Sequence, residues 1–217
     1  MAPAQNARTH DRYESRARNN EALSSLVNIV STLIEVVEKF RSAGIDFVIG
    51  GSLASSVWGE ERNTRDVDIA ALISANQIDQ LDELFQWPYV LDTASMKESL
   101  REREEFASGQ ILHGETLDKF DIFLLRNDEY SKTQLARKRL VEFVPGVSFP
   151  FTSPEDIVVT KLRWFVLGNR ISDKQWNDIV QVLEMQEGNL DEDYMTHWAT
   201  HFEVLDLLRD AQSQAKV

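Results

Sequence analysis

IDFVIGGSLASSVWGEERNTRDVDIAAL, residues 45–72, is the stretch from which the fold is predicted. Its apolar opening, 45–49, predicts a strand that ends at a Gly50-Gly51-Ser52 turn. Small residues at 53–58 then predict a short helix, and the alternating residues that close the stretch predict a second strand. Strand, turn, helix and strand in this order predict a sheet with a helix packed against it.

Two acidic residues lie at alternate positions of the second predicted strand. Side chains on a strand alternate between its faces, so Asp66 and Asp68 point one way while Val67 and Ile69 point into the core. Adjacent carboxylates repel each other by about 1 kcal/mol in water, and by more in a partly buried cleft. The pair therefore favours a bound cation, and ligation by oxygen alone suits Mg²⁺ or Mn²⁺. The alternative is a pair of strand-end residues that cap a turn.

The glycine-rich turn has a second possible use. Gly50, Gly51 and Ser52 lead directly into the predicted helix, and backbone N–H groups at a helix N-terminus bind phosphate. A simple tight turn is the alternative. Ser52 is not expected to act as a nucleophile, because the chain shows no Ser-His-Asp pattern that could activate it.

A third acid lies in a later apolar segment. Residues 109–125, GQILHGETLDKFDIFLL, predict a hairpin whose second strand contains Asp121. An isolated ionised carboxylate in such a strand is costly to desolvate. If this strand neighbours the Asp66 and Asp68 strand, the three carboxylates converge and share cations. A buried ion pair of Asp121 with Arg62 or Lys119 is the alternative.

These residues resemble the nucleotidyltransferase superfamily that includes DNA polymerase β. Its signature is a Gly-Ser turn, a spacer, and then Asp-x-Asp or Asp-x-Glu on a strand, which corresponds here to Gly51, Ser52, Asp66 and Asp68. The resemblance covers roughly residues 45–125. It implies that Asp66, Asp68 and a third acid, Asp121, bind Mg²⁺ or Mn²⁺, that the turn cradles the phosphates of a nucleoside triphosphate, and that Asp121 can act as general base.

A narrower resemblance links the chain to small bacterial nucleotidyltransferases, including toxins of type IV toxin–antitoxin systems. It rests on Arg62-x-Thr64-x-Asp66-x-Asp68 and on a later Lys-x8-Arg-x2-Asp-Lys pattern. A separate antitoxin is the partner that it implies. The cationic contacts to the triphosphate that it implies come from Arg62, Lys161, Arg170 and Lys174. Arg65 is the other arginine near enough in sequence to reach the triphosphate, and neutralisation of the neighbouring acids is the alternative for both arginines. For Arg170, a salt bridge with Asp173 between two helices is the alternative.

The expected fold is α/β (α+β), with a small mixed twisted sheet, flanking helices and a C-terminal helical lobe. We predict a polar tail at 1–18, a nucleotidyltransferase core at 19–151 and the helical lobe at 152–217. Helices are predicted from about 19 to 44, 75–85, 95–106, 129–139, 153–167, 173–187 and, as two short pieces, 191–211. Extended segments are predicted at 87–91, 140–144 and 147–151.

Composition narrows the class of protein. The net charge of −13 disfavours a body that binds nucleic acid nonspecifically, although the basic run at 132–139 allows a local groove. The absence of cysteine excludes disulfides and thiolate zinc sites. His197 and His201 lie four residues apart but lack the adjacent glutamate of zinc proteases. No apolar run is long enough to span a membrane, so a cytoplasmic protein is expected.

The sequence therefore predicts a metal-dependent nucleotidyltransferase that moves a nucleoside monophosphate from an NTP to a hydroxyl group. A phosphotransferase that uses the same site is one alternative. A protein with this fold that binds a nucleotide or a partner without turnover is another. The acceptor can be tRNA, a protein or a small molecule, and the acidity of the chain favours the last two.

Overall fold

The computed structural model of the protein describes residues 29–60, 66–102 and 107–215. The strands in these ranges are β1 (Asp46–Ile49), β2 (Asp66–Leu72), β3 (Tyr89–Leu91), β4 (Ser108–His113), β5 (Lys119–Leu124), β6 (Arg139–Val144) and β7 (Val147–Phe151). The helices are α1 (described over 29–42), α2 (Gly51–Trp58), α3 (Ala75–Leu84), α4 (Thr93–Glu102), α5 (Glu129–Ala136), α6 (Pro154–Leu167), α7 (Asp173–Met185), α8 (Glu192–His201) and α9 (Leu205–Ala215).

In the part of the chain that the structure describes, seven strands form one mixed sheet in the order β3-β4-β5-β2-β1-β7-β6. The central strand β2 pairs antiparallel with β1 and parallel with β5. Strand β1 also pairs parallel with β7, through Ile49 and Phe151. The parallel pairs align the carboxyl ends of β1 and β7 at one edge of the sheet, where a helix follows each strand.

Local sequence accounts for where several helices begin. Ser74 caps α3 in a capping box, since its hydroxyl accepts from the Gln77 amide and the Gln77 side chain accepts from the Ser74 amide. Ser153 caps α6 and is followed by Pro154 at the first helical position. Gly44 has a φ of +63° just after α1, where a left-handed residue ends a helix readily.

One continuous apolar core joins the sheet to the C-terminal helices. Val67, Ile69 and Ala71 of β2 are fully or almost fully buried and belong to this core, as the alternation in the sequence predicts. On the same sheet face, Met96 of α4 packs against Gly109, where a Cβ atom would lie only 2.2 Å from the Met96 Cγ. The core also contains residues from α6 to α9, so the segment predicted as a helical lobe is packed with the sheet.

The α/β fold class is confirmed, and the differences from prediction lie at the ends of elements. Helix α4 begins at Thr93 rather than 95, α5 ends at Ala136 rather than 139, and α9 continues to Ala215. The predicted tail at 1–18 lies outside the described residues, as do Arg62 and Arg65. Among the described residues, no helix is both long enough and apolar enough to cross a membrane.

Candidate active site

The three predicted acids lie on one face of two neighbouring strands. Strands β2 and β5 run parallel with Asp68 opposite Asp121 and Asp66 opposite Lys119. Parallel strands lie about 4.8 Å apart, and opposite residues project to the same side. Asp121 therefore lies beside Asp68 on the face away from Val67 and Ile69, as predicted from the charge within the apolar strand.

Lys119 contacts the third acid of this group. The Lys119 Nζ lies 2.9 Å from Oδ2 of Asp121, and the two side chains are 38% and 20% exposed. The hydrogen bond to Asp121 raises the pKa of Lys119, so the lysine stays protonated. This is the ion pair that the sequence left open as the alternative for Asp121.

The carboxylates do not converge on a common point in this conformation. In the ranges 29–60, 66–102 and 107–215, no group of three or more acidic or histidine side chains is arranged to hold a metal ion. Oδ2 of Asp121 is turned to Lys119, and Oδ2 of Asp68 accepts a long hydrogen bond of 3.4 Å from the Ser52 amide. The donor set suits Mg²⁺ or Mn²⁺ in chemistry and in position on the sheet, but the side-chain rotamers do not form a metal site.

The turn between β1 and α2 is built around Asp68. The Gly50 amide donates to the Asp68 carbonyl over 2.8 Å, which fixes the turn against β2. Gly51 has a φ of +56°, and a Cβ atom on it would lie 1.6 Å from Oδ2 of Asp68. Only glycine fits here, both for its backbone conformation and for the space that the carboxylate occupies.

The N-terminus of α2 is open to an anion. Gly50 precedes the helix and provides no side-chain cap. The first amides of a helix have no partner within it, and the helix dipole favours negative charge at this end. The Asp68 carboxylate is the anion that contacts the Ser52 amide in the free protein.

The charge on Asp68 is costly in this environment. Burial raises the pKa of Asp68 above its ordinary value, and the carboxylates of Asp121 and Asp66 raise it further. The Ser52 amide and the Lys161 ammonium act in the opposite direction without cancelling the rise. A bound cation at this place would therefore be favoured electrostatically.

A pocket of about 490 Å³ opens on the same sheet face, and we call it the Asp68 pocket. Its floor is formed by Asp68, Ala70 and Phe123, and its near wall by the Gly50–Ser52 turn. Residues that line the remainder come from α5 to α8 and the neighbouring loops, and include Arg126, Tyr130, Gln134, Thr152, Lys161, Arg163, Trp164, Gln175 and Phe202.

Lys161 is a buried cation at this pocket. Its Nζ donates to Oδ2 of Asp178 over 2.8 Å and to Oε1 of Gln175 over 3.1 Å. Lys161 and Asp178 are each about 5% exposed. The pair ties α6 to α7, and Lys161 also lines the Asp68 pocket. A structural role for this lysine is therefore evident from its contacts, and phosphate binding stays a prediction.

The other predicted cationic residues lie elsewhere. Arg170 and Lys174 are exposed, and neither is among the residues that line the Asp68 pocket. Arg170 follows α6 with a φ of +61°. Lys161 contacts Gln175, which is the neighbour of Lys174 on α7 and lines the pocket, but the side chains of Arg170 and Lys174 are exposed to solvent. Arg62, the remaining cation, lies outside the described residues.

Several pocket residues have no functional role assigned from the sequence. The spacing of Trp164 predicts a core residue, yet it is half-buried, lines the pocket and contacts Phe123 edge to face at 5.7 Å between ring centres. The Arg163 guanidinium lies 3.8 Å from the centre of the Phe202 ring. Thr160, Lys161 and Arg163 interrupt the apolar middle and end of α6. This interruption is the signal in the sequence that could have indicated a pocket-lining side of the helix.

Comparison with known proteins supports the fold. No protein-family profile and no curated protein matches the chain. The solution structure of the antibiotic-resistance factor ANT(2'')-Ia matches with a TM-score of 0.51 at 10% identity, over 87% of this chain and 98% of that one. The crystal structure of ANT(2'')-Ia in complex with adenylyl-2''-tobramycin matches with a TM-score of 0.51 at 12% identity, over 80% and 96%. The chain thus has the nucleotidyltransferase fold.

Proposed function

We propose that the protein is a nucleotidyltransferase that transfers a nucleoside monophosphate from an NTP to a hydroxyl group and releases pyrophosphate. The observation that carries the proposal is the register of Asp68 with Asp121 beside the open N-terminus of α2. The Asp68 carboxylate and the Gly50–Ser52 turn both line the Asp68 pocket, whereas Asp66 and Asp121 lie beside Asp68 on the strands and are not among the lining residues. The nucleotidyltransferase fold is consistent with this arrangement.

The chain's own groups would bind the nucleotide from two sides. Amides at the start of α2, next to Gly51 and Ser52, would hold phosphate oxygens, because the first amides of a helix have no partner within the helix. Lys161 would add positive charge from α6. Asp68 then has to leave the Ser52 amide, since both anions compete for the same donor.

Asp66, Asp68 and Asp121 are the residues that would hold Mg²⁺ or Mn²⁺, once Asp121 has exchanged Lys119 for the cation. The ion would supply charge stabilisation for the phosphates and acidify the acceptor hydroxyl. Release of Asp121 from Lys119 also frees its carboxylate to accept a proton, as a general base requires.

The reaction balances without a further reagent. The acceptor oxygen forms a bond to the α-phosphorus, and the bond from that phosphorus to the bridging oxygen breaks. Its electron pair stays with pyrophosphate, and the hydroxyl proton passes to Asp121. Positioning and electrostatic stabilisation supply the rate, as in phosphoryl transfer generally.

The acceptor belongs to one of three classes: tRNA, a protein or a small molecule. Adenylyl-2''-tobramycin, a nucleotide joined to a small molecule, is bound by ANT(2'')-Ia, and a small-molecule acceptor is the corresponding proposal for this chain. A toxin role with an antitoxin partner is the proposal that follows from the narrower resemblance. It predicts growth arrest on expression of the wild type but not of Asp68→Asn.

A second candidate is a protein that binds nucleotides without turnover. The Lys119–Asp121 ion pair favours it, because a lysine that permanently neutralises the third acid would replace a cation. A phosphotransferase is the remaining alternative at the same site.

One labelling experiment separates these functions. The protein is incubated with each NTP labelled at the α- or γ-phosphate, with MgCl₂ and a cell lysate. Acceptor labelling from the α-phosphate, with pyrophosphate release, supports nucleotidyl transfer. Labelling only from the γ-phosphate supports phosphotransfer, and magnesium-dependent binding with no labelled product supports the non-catalytic protein.

A further inference from the structure

We propose that Thr152 is a phosphate-binding residue of the Asp68 pocket, and that its hydroxyl donates a hydrogen bond to the anion bound at the start of α2. This inference rests on the proposed function and adds a contact that no pattern in the sequence indicated. Three observations carry it: the place of Thr152 at the sheet edge, its unpaired hydroxyl, and the absence of a side-chain cap on α2.

Thr152 is fixed at the carboxyl edge of the sheet, directly after β7. Its amide donates to the Ile49 carbonyl over 2.9 Å, and its carbonyl accepts from Nε1 of Trp58 over 2.7 Å. The backbone is therefore held by the strand before the Gly50 turn and by the helix after it. This places the Thr152 side chain beside the turn, and the residue lines the Asp68 pocket.

The Thr152 hydroxyl has no partner although it is buried. The residue is 2% exposed, and its Oγ1 makes no hydrogen bond within the described chain. A buried polar group left unsatisfied loses its hydrogen bonds to water and gains none in return, so such groups call for an explanation. The Oγ1 lies 3.5 Å from the place where a Cβ atom of Gly50 would be, so the hydroxyl adjoins the Gly50 turn directly.

The neighbouring hydroxyl shows what a purely structural residue does here. Ser153 Oγ donates to Oδ2 of Asp156 over 2.7 Å and accepts from the Asp156 amide, which caps α6. Helix α2 begins next to Thr152, and its cap residue Gly50 has no side chain that could accept from the first amides. The Ser52 amide contacts Asp68 only over a long 3.4 Å hydrogen bond, so the unpaired Thr152 hydroxyl lies at the helix end that has no cap of its own.

A phosphate is the ligand that fits both features. It offers acceptor oxygens to the hydroxyl and to the α2 amides at once, and its negative charge suits the helix N-terminus. The hydroxyl is shielded in the free protein, so contact requires rotation about the Thr152 Cα–Cβ bond or a shift of the Gly50 turn. Ligand binding therefore satisfies a donor that the free protein leaves unsatisfied.

Two substitutions test the proposal in the full-length protein. Thr152→Val removes the hydroxyl and keeps the shape, whereas Thr152→Ser keeps the hydroxyl. Binding of ATP, CTP, GTP, UTP and inorganic tripolyphosphate is measured by calorimetry with MgCl₂, and Tm is measured without ligand. We expect Thr152→Val to weaken binding of the tightest of these probes about tenfold, with Tm unchanged or higher. Thr152→Ser is expected to bind within about threefold of the wild type.

Thr32→Val is the matched control, because Thr32 is also buried but its hydroxyl donates to Oδ2 of Asp118 over 2.7 Å. It should lower Tm and leave nucleotide affinity unchanged. Equal affinities of the wild type and Thr152→Val would overturn the proposal, and so would equal weakening by Thr152→Val and Thr152→Ser. A wild type that binds none of the probes overturns the proposed function itself, and this inference with it.

Discussion

The Lys119 ammonium lies 2.9 Å from Oδ2 of Asp121, at the place where the fold positions the third acid beside Asp68. In the free protein the lysine supplies the positive charge that a divalent cation would bring. The pair is partly exposed, and such pairs contribute only about 0–1 kcal/mol. A cation can therefore displace Lys119 at little cost.

Lys119→Met should strengthen binding of divalent cations. Because the competing ammonium is lost, we expect the Kd for Mn²⁺ to fall by up to about fivefold. Titration with Mn²⁺ followed by electron paramagnetic resonance measures this directly and needs no substrate. Lys97→Met is the control, since it removes the same charge from an exposed pair with Asp79. Equal Mn²⁺ affinities of the two variants would contradict the idea that Lys119 competes.

Asp68→Asn should remove activity and stabilise the free protein at neutral pH. Burial raises the pKa of Asp68 above its ordinary 3.8, so its ionisation costs stability. The favourable contribution of the protonated form is complete below pH 3.8 and is lost as the pH rises through the raised pKa. Asparagine does not titrate, so the stability gain of the variant should grow with pH over this window and then level off.

Urea unfolding of the wild type and Asp68→Asn at pH 3.5, 5 and 7 measures this dependence, and the two curves should converge at the lowest pH. Transfer activity should fall by about 10²–10³-fold, because a carboxylate that would hold the cation for the transferring phosphates is lost. A variant that is less stable than the wild type at pH 7 would show that the carboxylate charge is favourable there.

Gly51→Ala should be strongly destabilising. A Cβ atom at this position meets Asp68 Oδ2 at 1.6 Å, and the φ of +56° is unfavourable for alanine. Gly146 provides the control, because it has a φ of +78° but a Cβ atom added there would meet nothing within 4 Å. We expect about 1 kcal/mol for Gly146→Ala from conformation alone and about 2–4 kcal/mol for Gly51→Ala. Equal losses in chemical denaturation would mean that Asp68 moves away freely.

Lys161→Met should cost about 3–5 kcal/mol of unfolding free energy, because it removes the ammonium that pairs with the buried Asp178. The double variant Lys161→Met/Asp178→Leu should regain most of that loss, since the buried charge is removed as well. If Lys161 also binds phosphate, nucleotide affinity stays low in the double variant. Calorimetry showing wild-type affinity there would assign Lys161 a structural role only.

Lys174→Ala should leave nucleotide affinity within about twofold of the wild type. Lys174 is exposed on α7 and does not line the Asp68 pocket. Interactions of solvent-exposed charges are strongly screened at physiological salt, so an exposed ammonium outside the pocket contributes little to affinity. The same calorimetric titration measures it, and a tenfold loss would restore the role that the narrower resemblance implies.

Features that depend on residues close together in the sequence could be predicted from the sequence alone. Helix starts such as Ser74 and Ser153-Pro154 are predictable because capping depends on residues only three positions apart. That Asp121 shares a face with Lys119 is predictable from the two-residue strand repeat, whereas its position beside Asp68 depends on the pairing of two strands that are distant in sequence. The partner of the Asp121 charge stays open in the sequence, since Lys119 and a metal ion satisfy the same electrostatic requirement.

Contacts between distant segments could not be predicted in this way. Lys161, Arg170 and Lys174 follow one another in a pattern, but only Lys161 is buried at the pocket, whereas Arg170 and Lys174 are exposed. Trp164 has the spacing of a core residue and lines the pocket instead. Apolar periodicity indicates which side of a helix faces the interior of the protein. It does not show whether the residues on that side pack in the core or line a cavity.

The sequence by itself determined the strand-turn-helix-strand unit and the glycine-rich turn within it, because these depend on local backbone conformation. It also determined that Asp66 and Asp68 share one face of their strand, because side chains on a strand repeat every two residues. Only the tertiary structure decided that Asp121 lies beside Asp68 and that Lys161 pairs with Asp178. It also decided that Thr152 reaches the turn after β1 with its hydroxyl unpaired. These relationships join segments that only the packing of the sheet and its helices brings together.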